Sequence, residues 1–441
     1  MKTRTLAVSM TLALLPAFAS AAAKPDELAA IRQQIQSLQA DYEQRIQALE
    51  ARLAHAEAET QAAKQTAAEA QAAATAPVTA PPSASANAFN PAISAILSGT
   101  YGDLSNDPDT YAIPGFALGG ETGPGERGFS LGESELVISA NVDDKFYGNL
   151  TAALAPEGGV DVEEAYIQTT ALPQGFTLKF GRLFSGIGYL NEQHAHIWDF
   201  VDTPLAYRAL LGNQYGDDGV QLRWLAPTDL FVEFGAEWMR GDAFPAGGAA
   251  DDGRGTTNAF VHIGGDVGDS HSWRAGLSQL RAQAEGRETG ATPDVFDGDS
   301  NVSIADFVWK WAPHGNAKTT NFKFQTEYLQ RNEDGRFNGL DYDADQNGWY
   351  TQAIYQFMPR WRIGLRYDRL EADDPGAAFA GTVLDTLGHT PHRSSAMLDF
   401  SNSEFSRLRV QYNRDDSQPV SDDQFFLQYI MSVGAHGGHQ F

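Results

Sequence analysis

His194 and His196 stand two residues apart in a segment reading IGYLNEQHAHIWDFVDTPLAYRALLG, with Glu192, Asp199 and Asp202 close by. On an extended chain both imidazoles share a face, so nitrogen and carboxylate ligands could meet at one metal ion. The same residues also suit the polar lining of an aqueous passage, which needs no special geometry. Asp341, Asp343 and Asp345 begin like a calcium loop, but its sixth position, which demands glycine, holds Gln346, and Gly348 comes two later. Ca²⁺ in an external loop therefore rests on an incomplete match, and no other cofactor is expected. Gly128-Phe129-Ser130-Leu131-Gly132 fits G-x-S-x-G, yet it opens a strand beside a loop instead of joining a strand to a helix. With no cysteine in the chain and no other nucleophile and base at usable spacing, no enzymatic activity is expected.

A second group of chemically able residues appears when side chains are sorted by parity. Along a strand, alternate residues share a face. In Phe176-Thr177-Leu178-Lys179-Phe180 the apolar parity faces outward, so Lys179 faces inward. The same rule turns Arg223, Arg274, Lys323, Arg362, Arg366, Arg407 and Arg409 inward. Acidic residues concentrate in the connections, at Asp199, Asp202, Asp217, Asp218, Asp251, Asp252, Asp341, Asp343, Asp345, Asp373, Asp374, Asp415 and Asp416. A basic wall opposite an acidic, inward-folded loop would set a field across a pore and give it an anion lean. Inward Glu327 and Asp368 fit the plainer alternative, a lumen carrying solvated charges of both signs. The formal charge of −26 argues against a nucleic-acid partner.

The elements that must position these residues change character along the chain. Residues 1–21 read as a secretory signal, with Lys2 and Arg4, an apolar stretch from Leu6 to Phe18, and Ala19-Ser20-Ala21 at the cleavage site. Residues 22–60 are expected to form an α-helical coiled coil in the periplasm, with a seam at Leu28, Ile31, Ile35, Leu38, Tyr42, Ile46, Leu49 and Leu53. Such a seam needs partners, and a homotrimer is expected. Residues 61–90 are an Ala/Pro/Ser/Thr-rich linker. Over residues 91–441 the period becomes two. Seven short turns alternate with eight longer connections, Glu285 to Asp299 and Asn332 to Asn347 among them, which predicts sixteen antiparallel strands. That is the pattern of an all-β transmembrane barrel facing outer-membrane lipid. Mean hydropathy is only −0.35, as expected when apolar residues are diluted by alternation. Trp224, Trp273, Trp311 and Trp361 each fall within about three residues of a short turn, where an interfacial girdle belongs. The last stretch, Asp423 to Phe441, places Phe425, Leu427, Tyr429, Met431 and Val433 on one parity and should close the barrel against Ile93 to Tyr101. The long apolar third connection, Ser185 to Asp217, needs somewhere to bury itself, and the lumen is the natural place.

Val162-Glu163-Glu164-Ala165-Tyr166-Ile167-Gln168, then Gly175-Phe176-Thr177-Leu178-Lys179-Phe180-Gly181-Arg182, and later Trp198-Asp199-Phe200-Val201-Asp202-Thr203-Pro204-Leu205, resemble the phosphate-selective porin O/P family. The resemblance implies an exported sixteen-stranded, trimeric outer-membrane porin, a water-filled channel for passive diffusion of small hydrophilic solutes and ions. The dense arginine ladder and loop lysines of that family's phosphate-binding members are missing here, so no phosphate ligand is carried over. Two alternatives compete: a structural tether that uses the coiled coil, and a substrate-specific receptor or channel for a metal or nutrient. An energised receptor would need a plug domain and a barrel of about 22 strands, for which the chain is too short.

Overall fold

The computed structural model describes residues 91–120, 122–154, 159–248, 255–290 and 294–434. The predicted signal, coiled coil and linker, together with Asp251, Asp252 and residues 435–441, lie outside them.

Among the described residues, seventeen strands form one closed antiparallel sheet. They are β1 (Ala92–Leu104), β2 (Gly128–Ser130), β3 (Ser134–Asn141), β4 (Phe146–Leu154), β5 (Val160–Thr169), β6 (Phe176–Phe184), β7 (Gly216–Leu225), β8 (Phe231–Met239) and β9 (Thr256–Val267). They continue as β10 (His271–Thr289), β11 (Asp294–Trp311), β12 (Asn321–Phe337), β13 (Leu340–Met358), β14 (Trp361–Ala372), β15 (His392–Ser403), β16 (Ser406–Asp416) and β17 (Asp422–Gly434). From β3 on, each strand pairs with its neighbour in sequence. β2 and β3 both pair with β1 and share one place in the wall, so the barrel has sixteen positions. Closure joins β1 to β17, with Leu97 opposite Met431 and Tyr101 opposite Leu427.

Alternation sets the two faces. On β14, Ile363 and Leu365 are exposed on the outside, while Arg366 and Asp368 are buried inside. On β17, Phe425, Leu427, Tyr429, Met431 and Val433 face out, and Phe426 and Ile430 face in. The outer face is thus a continuous apolar band, far larger than a water-facing sheet would carry. The four tryptophans sit where strands meet short turns, Trp224 stacking on Phe234 and Trp361 meeting Phe400 at a tilt.

Two predicted long loops are not loops. The stretches 285–289 and 294–299, and the segment Asn332–Asn347 but for its turn, extend the hairpins β10–β11 and β12–β13 well past their neighbours. The second hairpin turns on Asn338 and Gly339, both at positive φ (52° and 78°), as a tight primed turn requires. The reason for the misreading is an inversion of faces. Here the outward residues are polar, while Phe296, Phe337, Tyr342 and Ala344 pack inward with Phe379 and Leu384 of the connection after β14. Polar outward residues made strand look like loop. Asp341, Asp343 and Asp345 accordingly lie on the exposed parity of β13, not in a loop. Asp217 and Asp218 lie on β7, and Asp415 and Asp416 on β16, not in connections.

Candidate functional site: the pinned loop and its acidic pocket

The connection between β6 and β7 runs into the barrel. It carries a short turn of helix at Ala195–Ile197 and one α-helix, α1 (Leu205–Leu211), with every residue buried. α1 packs against Leu280, Val302, Ile304, Leu329, Tyr350 and Leu370 of the wall, a hydrophobic core inside the lumen. Apolar burial therefore draws the segment inward. Polar side chains then fix its path. Gly188, at φ +67°, lies where a Cβ would come within 2.6 Å of both Glu327 Oε2 and Tyr207 Oη, so this close approach needs glycine.

The pinning is reciprocal. Wall carboxylates accept backbone N–H groups of the loop. Glu237 accepts from Gly186 (2.8 Å), Glu327 from Tyr189 (2.9 Å) and Leu190 (3.1 Å), and Asp368 from Leu205 (2.9 Å) at the start of α1. Wall cations in turn bind loop acids and carbonyls. Lys323 and Arg362 donate to Asp199 (2.8 and 3.1 Å), and Arg366 donates to Asp202 (2.6 Å). Arg223 bonds Glu192, and Arg274 donates to the Gly188 carbonyl (3.1 Å). Arg407 donates to the His196 carbonyl (2.5 Å) and Arg409 to that of Trp198 (2.7 Å). Lys179 instead stacks 4.4 Å above the Tyr166 ring. All eight sequence candidates thus point inward, and seven hold the loop. Arg393, which parity reasoning passed over, donates to Asp202 at 2.6 Å and to the Thr203 carbonyl at 2.7 Å.

Burial alone would raise the loop carboxyls. The Lys323 and Arg362 charges override it at Asp199, and Arg393 and Arg366 do so at Asp202, holding both well below the usual carboxylate range. Glu192 is likewise lowered to about 2 against burial, chiefly by Arg223 and Lys179.

The loop leaves one side of the lumen open. A cavity of about 640 Å³ lies between it and the wall around β1, β5, β6 and β17. Its lining carries Glu126, Glu133, Glu163, Asp202, Asp217 and Asp242 against Arg182 and Arg208. At its edge the two loop histidines meet wall glutamates. His194 Nδ1 lies 3.2 Å from Glu163 Oε2 and Nε2 lies 3.1 Å from Glu164 Oε2. His196 Nδ1 lies 2.8 Å from Glu135 Oε1. Burial would lower the His194 imidazole, but hydrogen bonds to Glu163 and Glu164 dominate and raise it well above its ordinary range.

A β-bulge brings the two glutamates together. Thr151 pairs with Glu164 and Ala152 with Val162, so Glu163 has no residue opposite it. Both Glu163 and Glu164 then reach the lumen, which strict alternation forbids. Sequence reading missed them. The available signal was the adjacent pair itself, since alternation would leave one carboxylate facing lipid.

No family model matches the sequence. It is 31% identical over 344 residues to an uncharacterized protein of Aquifex aeolicus (strain VF5), covering 72% of this chain and 71% of that protein. Among solved structures it is similar to OmpT, an outer membrane protein of Vibrio cholerae (TM-score 0.51, 13% identity, 78% of this chain and 97% of that one). It is also similar to an anion-selective porin from Comamonas acidovorans (TM-score 0.50, 11% identity, 78% and 99%). Pseudomonas putida OprB gives a TM-score of 0.50 at 10% identity, covering 78% of this chain and 94% of that one. At these identities the likeness is one of fold. The chain belongs to one family with the uncharacterized Aquifex aeolicus protein, and its sixteen-position closed barrel has the fold of outer-membrane porins.

Proposed function

We propose that this protein is an outer-membrane channel of the porin type, passing small hydrophilic solutes and ions by diffusion along the open side of its lumen. The carrying observation is the cavity of about 640 Å³ left beside the inward-folded loop, inside a wall whose outer face is apolar. In this proposal residues 1–21 direct export, residues 22–60 trimerise in the periplasm and residues 61–90 link them to the barrel at 91–441.

The direction of selectivity differs from the anion lean expected of a free cation ladder. Seven of the eight wall cations are engaged by the loop, while carboxylates outnumber arginines around the cavity. We therefore assign the passage a cation lean, because fixed lining charge sets the local counter-ion concentration. Planar-bilayer recording in a KCl gradient tests both statements. The expected result is discrete channel openings with a reversal potential on the K⁺ side. Absence of channels removes the porin reading, and a Cl⁻-side potential removes the cation lean.

A further inference from the structure

We propose that the Glu135–Glu163–His194 cluster is a binding site for a divalent first-row transition-metal ion, set into the side of the passage. Ligand atoms about 2.0–2.2 Å from a tetrahedral zinc lie roughly 3.3–3.6 Å apart. His194 Nδ1 is 3.2 Å from Glu163 Oε2 and 3.6 Å from Glu135 Oε2, close to that spacing, and the three donor atoms, from three chain segments, all lie within 4.8 Å of one another.

A second observation is independent of that spacing. Glu135 is 1% exposed, and its Oε2, the oxygen turned toward His194, has no hydrogen-bond partner. An orphaned buried carboxylate oxygen is costly, and a cation at this point would satisfy it. The surrounding bonds also match what metal ligands need behind them. A ligating histidine donates its other ring N–H to a carboxylate, which fixes ring and tautomer. Here Nε2 of His194 faces Glu164 Oε2 at 3.1 Å while Nδ1 faces the cluster. Glu135 is held through its other oxygen by His196. The bulge at Glu163 supplies the inward aim that a regular strand could not.

The mixed imidazole and carboxylate set favours Zn²⁺ and its first-row neighbours over Ca²⁺ or Mg²⁺, which take oxygen ligands throughout. Glu163 and His196 both line the cavity, so the ion can arrive through the passage. The sequence paired His194 with His196 as ligands. The structure instead gives His194 the first place and puts His196 behind Glu135.

The test is direct binding to the full-length protein in detergent, freed of metal with a chelator. It reads no conductance, so its outcome is separable from that of the channel reading. Titration with ZnCl₂ should give one site per chain that excess CaCl₂ does not displace. X-ray absorption at the zinc edge should show nitrogen and oxygen neighbours including one imidazole. His194→Ala and Glu163→Gln should each weaken binding at least tenfold, and Glu164→Gln roughly tenfold. Folding of each variant is checked by heat-dependent gel mobility, and the absorption spectrum of the unsubstituted protein stands without any variant. No stoichiometric binding, a spectrum lacking imidazole, or unchanged binding by folded His194→Ala would overturn the proposal and leave the cluster as histidine–glutamate ion pairs.

Discussion

Asp202→Asn removes one charge at the point where the loop is held most densely. Asp202 receives Arg366 and Arg393 at 2.6 Å each, Gln411 at 2.8 Å and Asn413 at 3.1 Å, with Arg208 3.8 Å away. Around it Arg208, Arg366 and Arg393 balance Asp202, Asp368 and Asp415. The variant leaves three positive charges facing two negative ones. Asparagine keeps the shape, so packing is not the issue. Both Asp202 oxygens accept, and asparagine turns one of them into an NH2 that cannot, so one arginine loses a charge-assisted bond worth about 1.5–3 kcal/mol while the other's falls to an ordinary bond worth about 0.5–1.5 kcal/mol. The anchoring loss is about 2.5–4.5 kcal/mol, or roughly 60- to 1,500-fold in the equilibrium that holds the loop down.

Single-channel recording reads this twice. Time spent in a loop-displaced, higher-conductance state should rise by roughly that factor, about 60-fold or more. The reversal potential in a KCl gradient should also move toward Cl⁻, because a lining carboxylate is lost and an arginine pair uncovered. Asp341→Asn, on an exposed outer pair with Arg336 at 3.6 Å, is the control and should change neither. A folded Asp202→Asn barrel with wild-type conductance, noise and reversal potential would refute the claim that these charges position the loop.

Leu365, outward and 61% exposed on β14, should tolerate arginine poorly. At mid-membrane depth Leu365→Arg costs about 2–4 kcal/mol, readable as a lower urea midpoint for refolding into vesicles, and an unchanged midpoint would place this face in water. Acid should release the loop late. Asp199 and Asp202 are depressed on folding, so their contribution is complete above the unfolded carboxylate value and fades only as pH falls through the lower folded one. Conductance should stay constant from neutral pH to about 4 and rise only below it; a rise between pH 5 and 6 contradicts the assignment.

The wall was legible because lipid outside and water inside impose a period of two. Closure of β17 on β1, the seven short turns and the tryptophan ends all follow from that one constraint. What stayed hidden were places where the constraint changes. Above the membrane the outside is wet and the inside is packed with Phe337 and Tyr342, so the polarity of β12 and β13 inverts and strand passes for loop. At Glu163 one extra residue shifts the register, and a carboxylate that parity sends outward turns in. Parity carries no memory of an insertion, and the one mark of this one is the adjacent pair Glu163 and Glu164, of which strict alternation would send one to lipid.

The charge reading shows a different limit. Alternation correctly says that Lys323, Arg362 and Arg409 face inward, but not what they face. Lumen charge acts on a solute only if nothing nearer neutralises it. Here the nearest opposite charges belong to the protein's own loop: Asp199 lies 2.8 Å from Lys323 and 3.1 Å from Arg362, distances at which no hydrated ion competes. The wall cations thus work as internal struts, and the field along the passage falls to the lining residues that no loop cation engages, Glu126 and Asp217 among them. The same folding event that buries an apolar helix in the lumen therefore neutralises the cation ladder that alternation predicts, which is the basis of the proposed cation lean.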